Sequence, residues 1–149
     1  MEKLEVRVKD NVMCPLDVVF NAITQVESLS GYFISRAGGP LVEGQTVDWF
    51  FDDAQVQVAV LVLVLDPAGR FSFGWGASEA KTRVDINLFS LGEQETGILI
   101  TERSFGFDRA GVERLMQQTQ GWTDFVCSLK AFLYCGINLR KGRKMDAYR

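Results

Sequence analysis

The sequence predicts a single α+β domain in which a curved antiparallel sheet covers one long helix. The chain has 149 residues, of which 47% are hydrophobic and 23% charged, so one domain can bury a core without disulfide or metal support. Its middle part reads as short strands separated by turns about ten residues apart. Its last third changes to the 3.6-residue period of an amphipathic helix. Such a helix must bury its apolar stripe, and a sheet offers one face for it.

The first quarter of the chain predicts one strand and two short helices. Apolar and charged residues alternate over residues 4–9, which is the pattern of a half-buried strand. Pro15 lies near a first helical position, and apolar residues recur at helical spacing over residues 16–24. A second short helix is predicted over residues 27–35, and the Gly-Gly-Pro sequence at 38–40 ends it.

The middle of the chain predicts a run of antiparallel strands. Each is bounded by turn residues, such as the Asp-Pro-Ala-Gly sequence at 66–69. The predicted strands cover residues 46–51, 56–65, 71–75, 84–88 and 98–105. Together with the first strand they give a sheet of about six strands.

One long helix is predicted over residues 112–139, about 40 Å in length at 1.5 Å per residue. Asp108 is a typical N-cap residue ahead of it. The apolar stripe of the helix faces the sheet, and the opposite face carries polar residues such as Gln118. The inward set consists of Phe71, Phe73, Trp75, Val84, Ile86, Leu88, Ile98 and Ile100 on the sheet and Trp122, Phe125, Leu129 and Leu133 on the helix. These side chains either fill the core or line an open ligand cavity, and the pattern alone favours a filled core.

The composition excludes several classes of function. The chain contains no histidine, which excludes Ser-His and Cys-His nucleophile pairs, histidine-ligated zinc and imidazole proton transfer. The three cysteines form no CxxC pair, so we expect free thiols and neither a metal nor a cofactor. The net charge of -3 indicates that nucleic acid is not the partner.

Targeting signals and membrane spans are not evident in the sequence. The N-terminal residues have no apolar signal-peptide core, and the most apolar stretch, at 56–65, is too short to span a membrane. The chain is therefore predicted to be cytoplasmic. The basic run at 140–144 indicates a frayed, solvated tail over residues 140–149.

Several short motifs follow one another in a recognisable order. A proline-led helix over residues 15–24 ends in Ala-Ile-Thr, and a Tyr-Phe pair follows at 32–33. A strand ends in Phe-Gly-Trp at 73–75, and the last helix carries Gly-Trp at 121–122 and Leu-Lys at 129–130. This order resembles the SRPBCC superfamily, the START-type and birch-pollen-allergen-like proteins. It is most similar there to the branch named after the activator of the heat-shock-protein-90 ATPase.

The resemblance implies a helix-grip fold with a cavity between the sheet and the long helix. Members of the superfamily bind lipids, hormones or polyketides, some catalyse cyclisation, and some bind a chaperone. We therefore expect a small, largely apolar ligand, with a cyclase- or hydrolase-type enzyme or a chaperone-interaction module as alternatives. The expected ligand-binding residues are Phe73, Trp75, Ile86, Ile100, Glu102, Trp122, Phe125 and Leu129.

Glu102 is the polar residue that stands out among these. It is in phase with Ile98 and Ile100, so the alternation of the strand points it inward. At a position where the resembled family often has a histidine, this carboxyl group could anchor a ligand, or act as general acid or base if the protein is an enzyme. Alternatively the strand has left the core here, and Glu102 pairs with Arg103 or another base at the rim.

The strand predicted over residues 56–65 is apolar on both faces. Every residue from 59 to 65 is apolar, so the side turned away from the helix would form an exposed patch. We expect this patch to mediate homodimerisation through the outer face of the sheet, unless neighbouring side chains cover it. Its members would come from Val58, Val60, Val62 and Val64 or from the alternate residues.

Overall fold

Seven strands and three α-helices make up the part of the chain that the structure describes. The structure is a computed structural model that describes residues 3–76 and 81–148. In chain order the elements are β1 (Lys3–Val12), α1 (Leu16–Thr24), α2 (Val26–Leu29), β2 (Arg36–Ala37), β3 (Thr46–Phe51), β4 (Val56–Asp66), β5 (Arg70–Trp75), β6 (Thr82–Gly92), β7 (Glu95–Gly106), α3 (Arg109–Cys135) and a 3₁₀ helix (Met145–Tyr148).

All strands belong to one antiparallel sheet in the order β1-β7-β6-β5-β4-β3-β2. The chain runs as a meander from β2 to β7, while β1 forms the edge beside β7. The long helix α3 packs against that edge, on β1 and β7. The predicted α+β helix-grip architecture is confirmed, and the two-residue strand β2 raises the strand number to seven.

The core lies between the inner face of the sheet and the helices. Of the twelve side chains predicted to point inward, Trp75 and Leu133 are partly buried and the others are buried. Burial of each large apolar side chain contributes about 1.5–3 kcal/mol, so this set supplies a substantial part of the driving force for folding. Phe33 sits at the centre of the aromatic part, with ring centroids 4.7–5.8 Å from those of Trp49, Phe51, Trp122 and Phe125.

The second helix is shorter than the sequence predicts, because the chain turns inward after Leu29. The amides of Phe33 and Ile34 both donate to the carbonyl of Leu29, which closes a turn instead of continuing the helix. The turn places Tyr32 in the core, where its hydroxyl donates to the carbonyl of Ala22 at 2.9 Å. Burial raises the pKa of the Tyr32 hydroxyl well above its ordinary value, so the group acts as a neutral donor.

The long helix begins where its cap predicts but ends earlier than its periodicity suggests. Asp108 is the N-cap, and its carboxylate accepts from the amide of Gly111 at 2.8 Å. The last helical residue is Cys135, because Gly136 adopts the left-handed conformation, with φ of 67°, that commonly terminates helices. No helix within residues 3–76 and 81–148 is both long and apolar enough to cross a membrane.

The predicted frayed tail is wrong for residues 140–145, which fold back on the domain, whereas Tyr148 is 85% exposed. The guanidinium of Arg140 pairs with Asp53 at 2.7 Å, and that of Arg143 pairs with Asp124 at 2.7 Å. The amide of Met145 donates to the carbonyl of Asp53. Arg140 and Arg143, two of the four basic residues that suggested a solvated tail, therefore hold the segment against the β3–β4 turn and α3, whereas Lys141 and Lys144 are exposed.

The apolar strand β4 presents fewer exposed side chains than its sequence suggests. Val60 and Val62 point inward and are fully buried, so they do not belong to an outer patch. The irregularity between Val62 and Val64 shifts the alternation in the second half of the strand. On the outer side, Leu61 remains 41% exposed.

Candidate functional site

A cavity of about 420 Å³ lies between the N-terminal half of α3 and the adjoining ends of β3, β4, β5 and β6. Most of the wall surface is apolar, and six polar side chains contribute the rest. The lining residues are Phe33, Phe51, Ala54, Val56, Val58, Trp75, Gly76, Thr82, Glu102, Arg114, Gln117, Gln118, Gly121, Trp122 and Arg140. A volume of this size is typical of small-molecule sites, which span about 300–1,000 Å³.

Glu102 forms the polar centre of this wall. Its side chain is 1% exposed, and it lies opposite Val84 on β6 and Val6 on β1, both of which point into the core. The prediction from strand alternation thus describes its orientation correctly. Arg103 points to the outer face and pairs with Asp85 instead, so Glu102 does not form the rim pair considered as the alternative.

Four donors converge on the Glu102 carboxylate. One oxygen accepts from the indole N–H of Trp75 at 2.9 Å and from the hydroxyl of Thr82 at 2.5 Å. The other accepts from the amide of Gln118 at 2.9 Å and from the indole N–H of Trp122 at 2.8 Å. These donors match the acceptor capacity of an ionised carboxylate, which has about four lone-pair sites.

The local sequence explains how these donors meet. Trp75 at the end of β5 pairs with Thr82 at the start of β6, which places both side chains on one face beside Glu102. On α3, Gln118 lies one turn before Trp122, so the two side chains point the same way. The rings of Trp75 and Trp122 are in contact, with centroids 5.5 Å apart and an interplanar angle of 33°.

This arrangement makes Glu102 a positioning residue for the two indoles. Each of its oxygens already accepts two hydrogen bonds, so a ligand group would have to displace one of the donors to reach it.

In residues 3–76 and 81–148, no group of three or more carboxylates and cysteines is placed to hold a metal ion.

The mouth of the cavity is formed partly by the C-terminal segment. The Arg140 guanidinium lies 6.0 Å from the ring centroid of Phe33 and 5.7 Å from that of Phe51, within the range of cation–π attraction. Asp53 fixes it there through hydrogen bonds of 3.0 and 2.7 Å. The docked tail is thus a part of the site that the sequence did not indicate.

The structure brings three of the eight predicted ligand-binding residues to the cavity: Trp75, Glu102 and Trp122. Phe73, Ile86 and Phe125 lie deeper, around a packed part of the core with no room for a water molecule. Ile100 and Leu129 are fully buried and do not line the cavity.

Sequence reasoning missed several lining residues, and a signal existed for one of them. Gln118 was expected on the polar face of the helix, yet its four-residue spacing from Trp122 places it beside that residue. Phe33 and Phe51 reach the site through the inward turn after α2 and the end of β3, which no local pattern shows.

A curved antiparallel sheet packed around one long helix, with an aromatic-lined cavity between them, defines a helix-grip fold. The chain belongs to the family described as activator of Hsp90 ATPase homolog 1-like proteins, whose model matches residues 13–134. No curated protein matches the chain.

Solved structures show the same fold. A Staphylococcus saprophyticus protein superposes with a TM-score of 0.78 at 23% identity, covering 92% of this chain and 96% of its own. DynU16, from the dynemicin biosynthetic locus, gives 0.78 at 25% identity and covers 89% of this chain, which spans 48% of DynU16. The Aha1 dimer from Colwellia psychrerythraea gives 0.76 at 16% identity, covering 89% and 98%.

Proposed function

We propose that the protein binds a small, largely apolar molecule in the cavity between α3 and the sheet. The observation that carries this proposal is the cavity of about 420 Å³, whose wall combines aromatic rings with a few oriented polar groups. Trp75 and Trp122, held by Glu102, supply a rigid wall against which an apolar body can pack. We expect this binding to take place in the cytoplasm.

Polar groups of the ligand would meet Thr82 and Gln118 rather than Glu102 itself. The Thr82 hydroxyl donates to Glu102 and keeps its lone pairs for an incoming donor. The Gln118 side chain uses one N–H for Glu102 and retains a second N–H and a carbonyl oxygen. This arrangement supports a ligand with a hydroxyl or carbonyl group on an apolar body, a description that includes lipid-like and polyketide-like molecules.

Binding is favoured over catalysis by the hydrogen bonding of Glu102. A general acid or base must exchange a proton with the substrate, and this carboxylate has all its acceptor positions occupied by protein donors. The cyclase- or hydrolase-type role considered for Glu102 therefore requires a rearrangement of the site that binding does not.

A leucine in place of Gly121 is expected to block the cavity. Gly121 lines the cavity, and a Cβ atom added there meets nothing within 4 Å, so a leucine side chain would extend into open space. We expect Gly121→Leu to weaken binding of the uncharged fluorescent probe N-phenyl-1-naphthylamine by about tenfold or more, which corresponds to at least about 1.4 kcal/mol. Fluorescence titration measures this.

The matched control is Gln120→Leu, which adds the same side chain to an exposed neighbouring position outside the cavity. Equal affinities for the wild type and both variants would overturn the proposal. Native mass spectrometry of the purified wild type and the Gly121→Leu variant extends the test to any co-purified ligand, which only the wild type should carry.

Interaction with the chaperone Hsp90 is a second candidate function, favoured by the family to which the chain belongs. Such an interaction would use an outer surface rather than the cavity. The Gly121→Leu variant therefore separates the two functions, because it would leave chaperone binding unchanged.

Self-association through the outer face of β4 is the other interaction we propose. The Colwellia neighbour is a dimer, and in this chain Leu61 is an exposed large apolar residue on that face of β4, next to the exposed Ala59. Light scattering at micromolar concentration should give a dimeric mass that Leu61→Lys reduces to a monomeric one. A monomeric mass for the wild type would contradict the proposal.

A further inference from the structure

The outer face of the sheet carries a cluster of three arginines around one buried carboxylate. Asp85 on β6 has a side chain that is 9% exposed, and the hydroxyl of Ser72 donates to it at 2.6 Å. The guanidinium groups of Arg83, Arg70 and Arg103 approach the same carboxylate at 3.2, 3.4 and 3.9 Å. Three cations thus share one anion, so the cluster as a whole is cationic.

Asp85 organises these arginines without covering them. Burial raises the pKa of the Asp85 carboxyl, but the hydrogen bonds from Ser72 and Arg83 outweigh it, so the pKa lies below its ordinary value. The side chains of Arg70, Arg83 and Arg103 remain 48%, 37% and 56% exposed. Each guanidinium has five N–H donors, and the ones directed away from Asp85 are available to an anionic partner.

The neighbouring positions extend this surface. Arg7 on β1 is opposite Thr101 on β7, which is opposite Asp85, so all three lie on the same face. Farther along β6, Phe89 is 50% exposed and its ring lies across Gly97, where any Cβ atom would collide with it. Glu5 borders the surface and pairs with Arg7 at 3.6 Å.

This surface differs in sign from the rest of the molecule. The chain has a formal net charge of -3, yet this part of the sheet gathers cations around a single buried acid. None of the three arginines lines the cavity, so the binding proposed there does not account for them.

We propose that this arginine cluster docks an acidic segment of a partner protein in which carboxylates alternate with apolar side chains. The planar guanidinium groups match carboxylates in two-point hydrogen bonds, and Asp85 already holds them in place. Phe89 offers an apolar contact beside them. A nucleic acid fits less well, because nucleic-acid binding relies on many Lys and Arg contacts to phosphates, and this cluster supplies few in a chain of net charge -3.

The test measures binding of a fluorescein-labelled peptide of alternating glutamate and leucine residues to the full chain by fluorescence anisotropy. We expect Arg83→Gln combined with Arg103→Gln to weaken this binding by about tenfold or more, and added salt to weaken it further for the wild type. The matched control combines Arg36→Gln with Arg109→Gln, which removes the same charge from β2 and from the start of α3. This control should keep wild-type affinity.

Three results would overturn the proposal. The first is no binding of the acidic peptide by the wild type at millimolar concentration. The second is an equal loss in the two double variants, which would indicate a general charge effect. The third is tighter binding of an oligothymidylate of the same length than of the peptide, which would assign the cluster to nucleic acid. Circular dichroism of each variant checks that it is folded.

Discussion

Glutamine at position 102 is expected to lower the free energy of unfolding by about 3 kcal/mol. The Glu102 carboxylate accepts four hydrogen bonds inside the domain, two at each oxygen. A glutamine amide has one acceptor oxygen and one NH₂ group, so the NH₂ would face two donors and leave them without an acceptor. Each buried donor left unpaired costs about 1–3 kcal/mol. The change should lower the melting temperature by roughly 10 °C in a chain of this size.

Two measurements test this expectation together. Urea denaturation gives the change in stability, and the indole N–H resonances of the three tryptophans show where it arises. The resonances of Trp75 and Trp122 should move in Glu102→Gln, because their N–H groups donate to Glu102. That of Trp49, whose buried Nε1 has no hydrogen-bond partner and whose ring centroid lies 6.2 Å from that of Trp75, should move less.

The control for the loss of charge is Glu113→Gln. Glu113 is 61% exposed and pairs with Arg109 four residues earlier on α3, an interaction worth about 0.5 kcal/mol or less. If Glu102→Gln is no more destabilising than Glu113→Gln, the carboxylate does not hold the cavity wall together.

The orientation of Glu102 could be predicted from the sequence, whereas its partners could not. Strand alternation depends on neighbouring residues alone, so Ile98 and Ile100 were sufficient to point Glu102 inward. Its donors come from β5, β6 and α3, and their meeting depends on strand register and on the rotation of the helix. Neither quantity can be read from local periodicity.

The docked C-terminal segment shows that the partners of charged residues, too, could not be predicted from the sequence. A run of basic residues has the same appearance whether it is solvated or paired. Arg140 is paired with Asp53, 87 positions earlier in the chain, and that proximity arises only when the β3–β4 turn and the end of α3 are both in place. All strands except the two-residue β2, and the start of α3, were predictable because turn residues and Asp108 mark their boundaries locally.

Alanine at position 111 is expected to destabilise the domain by about 3 kcal/mol, whereas alanine at position 121 of the same helix should be neutral or stabilising. A Cβ atom on Gly111 would lie 1.9 Å from the carbonyl oxygen of Gly106 and 2.7 Å from its carbon. These are backbone atoms at the end of β7, so no side chain can move aside to make room. The start of α3 would have to shift, and the cap in which Asp108 accepts from the Gly111 amide would be strained.

Gly121 provides a control with the same chemical change. A Cβ atom there meets nothing within 4 Å, so alanine should add its helix propensity, up to about 1 kcal/mol. The two substitutions should therefore shift the urea midpoint in opposite directions without changing the slope of the transition. Shifts of the same sign and similar size would mean that helix propensity determines the stability change in both variants. In that case α3 would not approach β7 closely at Gly111. Opposite shifts would show that the close contact between Gly111 and Gly106 fixes the position of α3 on the sheet. The position of α3 in turn places Gln118 and Trp122 at the cavity.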